Sequence, residues 1–540
     1  ALPGVTIKCK SSNLGTITDF NGKYSIEAQN NDVLIFSSIG MKTYETKVGN
    51  RHSINVIMQN DITAVDEIIV VGYGTQKKSS LTGSVAQIDN KQIMEAPVGN
   101  ISNMLGGRLP GLISVQSSGQ PGADNSSLLV RGISTYGNAS PMVIVDGIPR
   151  SFNDLDPSEI QNISILKDAS AAAVYGMQGS NGVILVTTKK GSEQKATITY
   201  SGSYGIDENT RFPKFMDGIQ FATYWNKAME MDGKTPTFTE NMLKSIKNCT
   251  NGFGNTDWLS KIFRTGNTQH HNISVEGGTE RTKYFILVGY YDQKGNLKQF
   301  NFNRFNFRSN IDAKITNDLS INLNLSGRHE VRENPNTDAS TVVSDATRML
   351  PYLPMKYQGM DVGAVPQYSI INPVASLNNS GFSNSKMNVF QSNLSLRWNI
   401  PFITGLNANA LFSYDHDYTI SKVFSTPYQV MRATLGYDNI TYSVQNAPAG
   451  FLDPSTQQYE STLYEGFANA ERFTGQVSLN YARRFGLHDL TALFLYEYSR
   501  YRTNDFDVNG EGFEFNDIQE LNLSNKIINS GKGYGGGSSV

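Results

Sequence analysis

The chain of 540 residues carries 46 Lys+Arg against 48 Asp+Glu, a formal net charge of −2, which gives no electrostatic basis for a nucleic-acid partner. Only 17% of residues are charged and 39% hydrophobic, while 49 Gly, 26 Tyr and 27 Phe stand out, so neither a disordered chain nor an ordinary α/β enzyme fits. Polar, aromatic and Gly-rich at near-zero charge is the composition of a mainly β chain with many turns.

Residues 1 to about 60 read as short strands between turns: Val5 to Lys10, Gly15 to Thr18, Tyr24 to Ala28, Val33 to Ser37, Lys42 to Val48 and Ser53 to Met58. This is a small β-sandwich pattern, with Asn21-Gly22 able to take positive φ at one turn. The segment resembles the regulatory β-sandwich first described beside carboxypeptidases, with Gly4-Val5-Thr6 similar to its second strand. No Zn-ligand pattern such as H-x-x-E accompanies it, so no peptidase is expected.

Asp66-Glu67-Ile68-Ile69-Val70-Val71-Gly72-Tyr73-Gly74 is a short apolar β-forming run closed on both sides by breakers. It reads either as an edge strand or as a docking peptide that adds to another protein's sheet through main-chain hydrogen bonds.

Residues 75 to 191 read as a compact α/β stretch. A short helix is expected at Ile101 to Leu105, and strands at Leu112 to Ser117, Ser127 to Arg131, Met142 to Val145 and Gly182 to Lys189. Asp156-Pro157-Ser158-Glu159-Ile160 reads as a helix start, with Pro and acids in its first turn. Lys167 to Tyr175 reads as a second, Ala-rich helix ended by Gly176.

Within this stretch, Leu129-Val130-Arg131-Gly132, Pro141 to Gly147 (PMVIVDG), Leu166 to Gly176 (LKDASAAAVYG) and Asn181 to Gly191 (NGVILVTTKKG) resemble the plug domain of TonB-dependent outer-membrane transporters of the SusC/RagA type. The residues carrying the resemblance include Arg131, Gly132, Asp146, Gly147, Lys167, Asp168, Tyr175 and Gly176. Residues 65–72 then stand where this family carries its TonB box. The resemblance implies capture of that box by TonB, with ExbB and ExbD, and a SusD-like surface lipoprotein as partner. It also implies import of a glycan or, as the alternative, a peptide across the outer membrane of a Gram-negative bacterium. Arg108, Arg131, Asp146, Lys167 and Asp168 are expected plug-to-barrel contacts, with plug-internal roles as the alternative.

From Ala196 onward the pattern has period two. Leu319, Ile321, Leu323 and Leu325 alternate with Ser and Asn, as do Leu406 to Tyr414 and Phe473 to Tyr481; in a barrel the apolar face meets lipid and the polar face a wet lumen. Strands are expected at about 196–206, 269–276, 282–292, 303–314, 318–330, 387–399, 405–417, 472–484 and 488–502. Tight turns alternate with long links at 207–268, 331–386, 418–471 and from 503 on, as in outer-membrane barrels. Asp257-Trp258, Arg264-Thr265-Gly266, His271 to Val275 and Tyr284-Phe285 resemble the opening barrel strands of the same family. Transporters of this kind have about 22 strands, so the chain is expected to be an amino-terminal portion of a longer protein. Its start, Ala1-Leu2-Pro3-Gly4 without Met, reads as processed or truncated. The tail Gly531 to Val540 reads as an extracellular loop.

No metal, cofactor or catalytic site is expected. The two cysteines, Cys9 and Cys249, form no C-x-x-C motif, and the glycine tail lacks the order of a phosphate loop. Asp505-x-Asp507-x-Asn509-Gly510 begins like a Ca²⁺ loop, but Asn516 stands where a bidentate Glu belongs, which favours a solvated acidic loop. The adjacent His270 and His271 should point to opposite faces of a strand. Loop tyrosines Tyr352, Tyr357, Tyr368, Tyr428, Tyr437 and Tyr459 read as sugar-stacking candidates or as loop packing. No run of about 18 apolar residues appears, which excludes a transmembrane helix and leaves barrel strands open. The expected fold is mainly β: a sandwich (1–60), a TonB-box linker (61–74), a plug (75–191) and a partial transmembrane barrel with long loops (192–540). A non-transporting outer-membrane ligand-binding protein is the rival of another class.

Overall fold

The computed structural model describes all residues except 1–3, 11–13, 39–40, 42, 59–67, 72–73, 78–84, 96–97, 152–154, 366–369, 448–450, 453–458, 487 and 540. Residues 1–85 with 168–176 form one compact unit, and residues 86–167 with 177–540 form the second.

In the first unit a four-stranded antiparallel sheet runs in the order Gly15–Ile17, Thr6–Cys9, Val33–Ser37, Tyr44–Lys47. Its core is Val5, Ile7, Cys9, Leu34 and Phe36. Tyr24 to Ala28 and Ser53 to Met58 join no ladder among the described residues, contrary to their expected strands. Their alternation is nevertheless used, because Tyr24, Ile26, Ile54, Val56 and Met58 pack on that core and Tyr24 donates to the Ile54 carbonyl at 2.9 Å. The expected Asn-Gly turn is present: Gly22 has φ 71°, and the Asp19 carboxylate accepts from the Asn21 and Lys23 amides. Ile68–Val71 pairs antiparallel with Gly74–Lys77. Lys167 to Tyr175 is not one helix: Ala169–Ala172 is a single α turn, followed by a 3₁₀ stretch broken at Gly176, φ 58°.

The second unit opens with a mixed five-stranded sheet ordered Ile148–Pro149, Met142–Val145, Val183–Thr188, Ile160–Leu166, Val85–Asp89. Met142–Val145 and Val183–Thr188 are parallel, so both read as continuous apolar runs, as parallel strands covered on two faces do. Helix Ile101–Met104, capped by Asn100, and the hairpin Leu112–Gln116 with Ser126–Val130 supply the rest of its core. The helix expected from Asp156 is one 3₁₀ turn, Pro157–Glu159, leading into strand Ile160–Leu166. The acids and Pro gave a genuine cap, but the β-branched run after it buries Ile160, Ile163 and Ile165 against the sheet.

The remainder is a ten-stranded antiparallel meander: β1 Thr197–Asp207, β2 Gly266–Gly278, β3 Thr282–Lys294, β4 Asn301–Lys314, β5 Leu319–Pro335, β6 Gly381–Asn399, β7 Leu406–Ser425, β8 Thr462–Phe485, β9 His488–Phe513 and β10 Ser524–Ser539. Nine of these were expected. The tenth corrects the reading of the tail as a loop, and the link before it is the short 514–523. β10 lacks apolar alternation, and its ladder is made possible by glycine: Gly531 and Gly533 lie opposite Asp507 and Asp505, whose carboxylates occupy the space a Cβ would fill. The supposed acidic loop is therefore mostly strand.

On the outward face, apolar rows occupy residues 319–327, 390–398, 406–414, 473–481 and 490–498, near the about 9–11 residues a tilted membrane strand needs. Each row passes to a polar residue at one level: His329, Asn388, His416, Glu471 and Arg500. The ladders set His329 beside Asn388, Phe390 beside His416, His416 beside Glu471 and Phe473 beside Arg500.

The links at 208–265, 336–380 and 426–446 are not plain loops. Helices Gly218–Met231, Glu240–Asn248, Trp258–Ile262, Ala339–Arg348 and Pro373–Asn379, begun by Asp217, Thr239, Asp257, Asp338 and Asn372 caps, share one core around Met242, Ile246, Phe253, Trp258, Val342 and Leu353. Of the loop tyrosines, Tyr352 packs against Phe221, Phe238 and Phe253. Tyr357 stacks on Tyr442 at 4.2 Å, and Tyr428 meets the Ser376 hydroxyl at 3.0 Å. These three are packing residues; Tyr437 is exposed, and Tyr368 lies outside the described residues.

Candidate functional site

The polar face of the meander meets the five-stranded sheet through buried charged and amide groups. Alternation on β4 puts Arg304, Asn306, Arg308 and Asn310 on that face, all buried. Each finds a partner contributed by an edge or turn of the plug-like sheet.

At one end stands Asp156, whose side chain both caps the 3₁₀ turn, accepting from the Ser158 amide at 2.9 Å, and accepts from Arg304 at 2.7 Å. His270 Nε2 lies 3.0 Å from the same carboxylate. Burial alone would raise the Asp156 pKa, but the His270 contact and the Arg304 charge outweigh it and hold the carboxyl well below the usual range. Glu159, one turn on, accepts from Arg308 Nε at 2.6 Å and from the Asn306 amide at 2.9 Å. Asn310 donates to Thr188 Oγ1 at 3.0 Å and to the Lys189 carbonyl at 2.5 Å.

Asp146 and Gly147 form the two-residue turn between Met142–Val145 and Ile148–Pro149, with φ 49° and 88°. Positive φ at both centres suits such a hairpin, and Asp-Gly is a favoured pair for it. The turn aims Asp146 at Thr188, whose amide and hydroxyl donate to it at 3.0 and 2.7 Å, and brings it 3.9 Å from Arg308. Just beyond the turn, Arg150 reaches β6 and β7. It donates twice to Asp415, at 2.9 Å from Nε and 2.5 Å from a terminal nitrogen, and to Asn393 Oδ1 at 2.7 Å. Arg150 and Asp415 side chains are only 4% and 11% exposed. Arg472 on β8 donates to the Pro149 carbonyl at 2.6 Å.

Of the expected plug-to-barrel residues, Asp146 makes the contact. Arg108 instead contacts the Gln92 carbonyl and Glu95 within the plug-like body, and the Lys167 stem lies beside Gly111. Arg131 and Gly132 take φ 60° and 93° at the end of strand Ser126–Val130, a backbone role. Asp168, Tyr175 and Gly176 belong to the first unit, as do Ile68, Ile69, Val70 and Val71, which form a strand; Val65, Asp66, Glu67 and Gly72 lie outside the described residues. Among the residues that sequence reasoning missed are Arg150, Asp156, Glu159, Arg304, Arg308, Asn310 and Asp415. One signal was available: two arginines at even spacing on the polar face of β4 require acids from elsewhere. His270 and His271 do face opposite ways, toward Asp156 and toward the Tyr200 hydroxyl at 2.8 Å. Among the described residues no group of three His, Cys, Asp or Glu could hold a metal.

Comparison with known proteins places these features. Residues 77–183 match the TonB-dependent receptor plug domain, and residues 1–70 a carboxypeptidase-regulatory-like domain. A TonB-dependent receptor of Formosa agariphila is 30% identical over 98% of this chain and 49% of its own length. The TonB-dependent receptor SusC of Bacteroides thetaiotaomicron is 30% identical over 64% of this chain and 34% of its own length. The chain thus spans about half or less of these relatives. The solved RagAB peptide importer in an open-open state shares the fold, with TM-score 0.71 at 23% identity, covering 87% of this chain and 53% of that one.

Proposed function

We propose, from the premise that the chain belongs to the TonB-dependent receptors of the SusC/RagA type, that it carries out energy-driven import of a large nutrient across the outer membrane of a Gram-negative bacterium. In this reading residues 1–60 are the regulatory-like sandwich, 61–74 the tether with the TonB box at Val65–Gly72, 75–191 the plug and 192–540 the barrel portion. TonB, energised with ExbB and ExbD, adds a strand to the box and pulls. A SusD-like lipoprotein delivers the ligand from outside.

The observation that carries the reading is the seat itself. Between the plug sheet and the wall stand carboxylate, guanidinium and amide groups, Asp156 with Arg304, Glu159 with Arg308 and Arg150 with Asp415, rather than a welded apolar interface. Buried ion pairs fix register but add little net stability over apolar packing. When force shifts the plug into a wet lumen, water rehydrates the charges, which suits a stopper that must seal at rest and yet be displaced.

An oligosaccharide is the first assignment for the ligand and a peptide the second. The test is uptake by cells carrying the protein, with labelled oligosaccharides and labelled peptides in parallel, before and after the proton gradient is collapsed. Gradient-dependent oligosaccharide uptake supports the assignment. Gradient-dependent peptide uptake replaces the ligand class, and uptake of neither beyond surface binding sinks import.

A further inference from the structure

At the outer end of the apolar belt, the outward face of β3 to β7 holds a groove of about 400 Å³, within the about 300–1,000 Å³ of ligand sites. Its floor is Val288, Phe305, Phe307 and Phe390. The gap exists because Gly327 faces outward between Phe307 on one side and Phe390 on the other, where any side chain would fill the trough.

The rim is polar and ordered. His329 Nδ1 lies 2.8 Å from Asn388 Oδ1, and His416 Nε2 lies 2.6 Å from Asn469 Oδ1. The His416 ring stands 5.8 Å from that of Tyr418, which also lines the groove. Exposed Lys386 stands two positions beyond Asn388 on the same face; beside His416 the ladder sets Glu471, followed on β9 by Arg502.

An apolar floor with a hydrogen-bonding rim flanked by Lys386, set at the level where the belt ends, suits an amphiphile with an acyl chain and an anionic, oxygen-rich head. The long links lie at this end of the strands and the tight turns at the other, which assigns the level to the outer leaflet. We propose that the groove is a binding site for a phosphorylated glycolipid of the outer leaflet, its chain along Phe305, Phe307 and Phe390 and its head against His329, Asn388 and His416. The site rests on the outer-membrane reading but not on import, since it lies on the face away from the plug.

The test uses the full-length protein in detergent, stripped of lipid, incubated with lipid A or with phosphatidylethanolamine and read by native mass spectrometry. Gly327→Phe fills the trough at a position where an added Cβ meets only the Val389 carbonyl, at 4.0 Å, so it should fold, as checked by the usual heat-dependent gel shift of a closed barrel. The expected result is one retained lipid A per wild-type chain, falling about tenfold or more in Gly327→Phe and less in His329→Ala with Asn388→Ala, which serves if the first variant misfolds. Equal retention by wild type and the folded variants, no retained lipid A on wild type, or preference for phosphatidylethanolamine would each overturn the proposal.

Discussion

Replacing Asp415 by Ala should loosen one edge of the plug. Asp415 receives two of the hydrogen bonds that Arg150 makes, and both side chains are nearly sealed from water. Its removal leaves a buried guanidinium held only by Asn393 and Ser413, and breaking a buried pair from one side costs about 3–5 kcal/mol. At about 1.4 kcal/mol per tenfold, the local opening equilibrium of Met142–Arg150 should rise by about two to three and a half orders of magnitude. Hydrogen exchange of those amides in the intact protein reads this directly. The double variant Arg150→Met with Asp415→Leu should recover most of the protection, because it removes the uncompensated charge rather than the packing. Exchange unchanged within about threefold in Asp415→Ala would refute the account of the seat, as would a double variant no better protected than the single one.

The low pKa of Asp156 predicts an acid dependence of fixed sign. A carboxyl whose folded pKa is depressed contributes stability above the ordinary Asp value of about 3.9 and loses it as pH falls through the folded value, so exchange protection of Ile160–Leu166 should fall as the medium is taken into strong acid. In Asp156→Asn that acid limb should vanish. Burial pushes the Tyr428 hydroxyl up to about 12; ultraviolet titration of wild type against Tyr428→Phe should show one tyrosine ionising near there, and its raised pKa makes its stabilising contribution one that alkali removes. Trp258→Ala should cost the outer helical module about 3–5 kcal/mol, seen as faster proteolysis within 208–265 with the strands unaffected. Gly254→Ala should also open that module, because the new methyl would overlap the Pro354 backbone; a variant as protease-resistant as wild type would contradict the packing.

What the sequence made legible follows the range of the interactions involved. Period-two alternation marked β5, β7 and β8 because one face of each meets an apolar medium along its stretch of the belt, 319–327, 406–414 and 473–481. The turn chemistry of Asn21-Gly22 was readable because a positive φ is a local demand. β10 was not readable: its glycines are placed by the carboxylates of the neighbouring strand, information that lies on β9. Asp156-Pro157-Ser158-Glu159 read as a helix start because a cap looks alike whether one turn or three follow. The seat was the least visible part. Asp146 was picked out by the family resemblance, but Arg150 and Glu159 acquire their meaning from Asp415 and Arg308, 265 and 149 residues away. The helical module in the long links was missed for a related reason: residues of 208–265, 336–380 and 426–446 share one core, so each link's apolar residues find their cover only in the other links.

Uptake after deletion of residues 65–72 tests the central claim most directly. The measurement compares accumulation and surface binding of the same labelled ligand by cells carrying the full-length protein with and without that segment. Import drawn by TonB predicts that binding persists while gradient-dependent accumulation falls to the level of cells lacking the protein. Accumulation that continues at the wild-type rate in the deletion variant would contradict it.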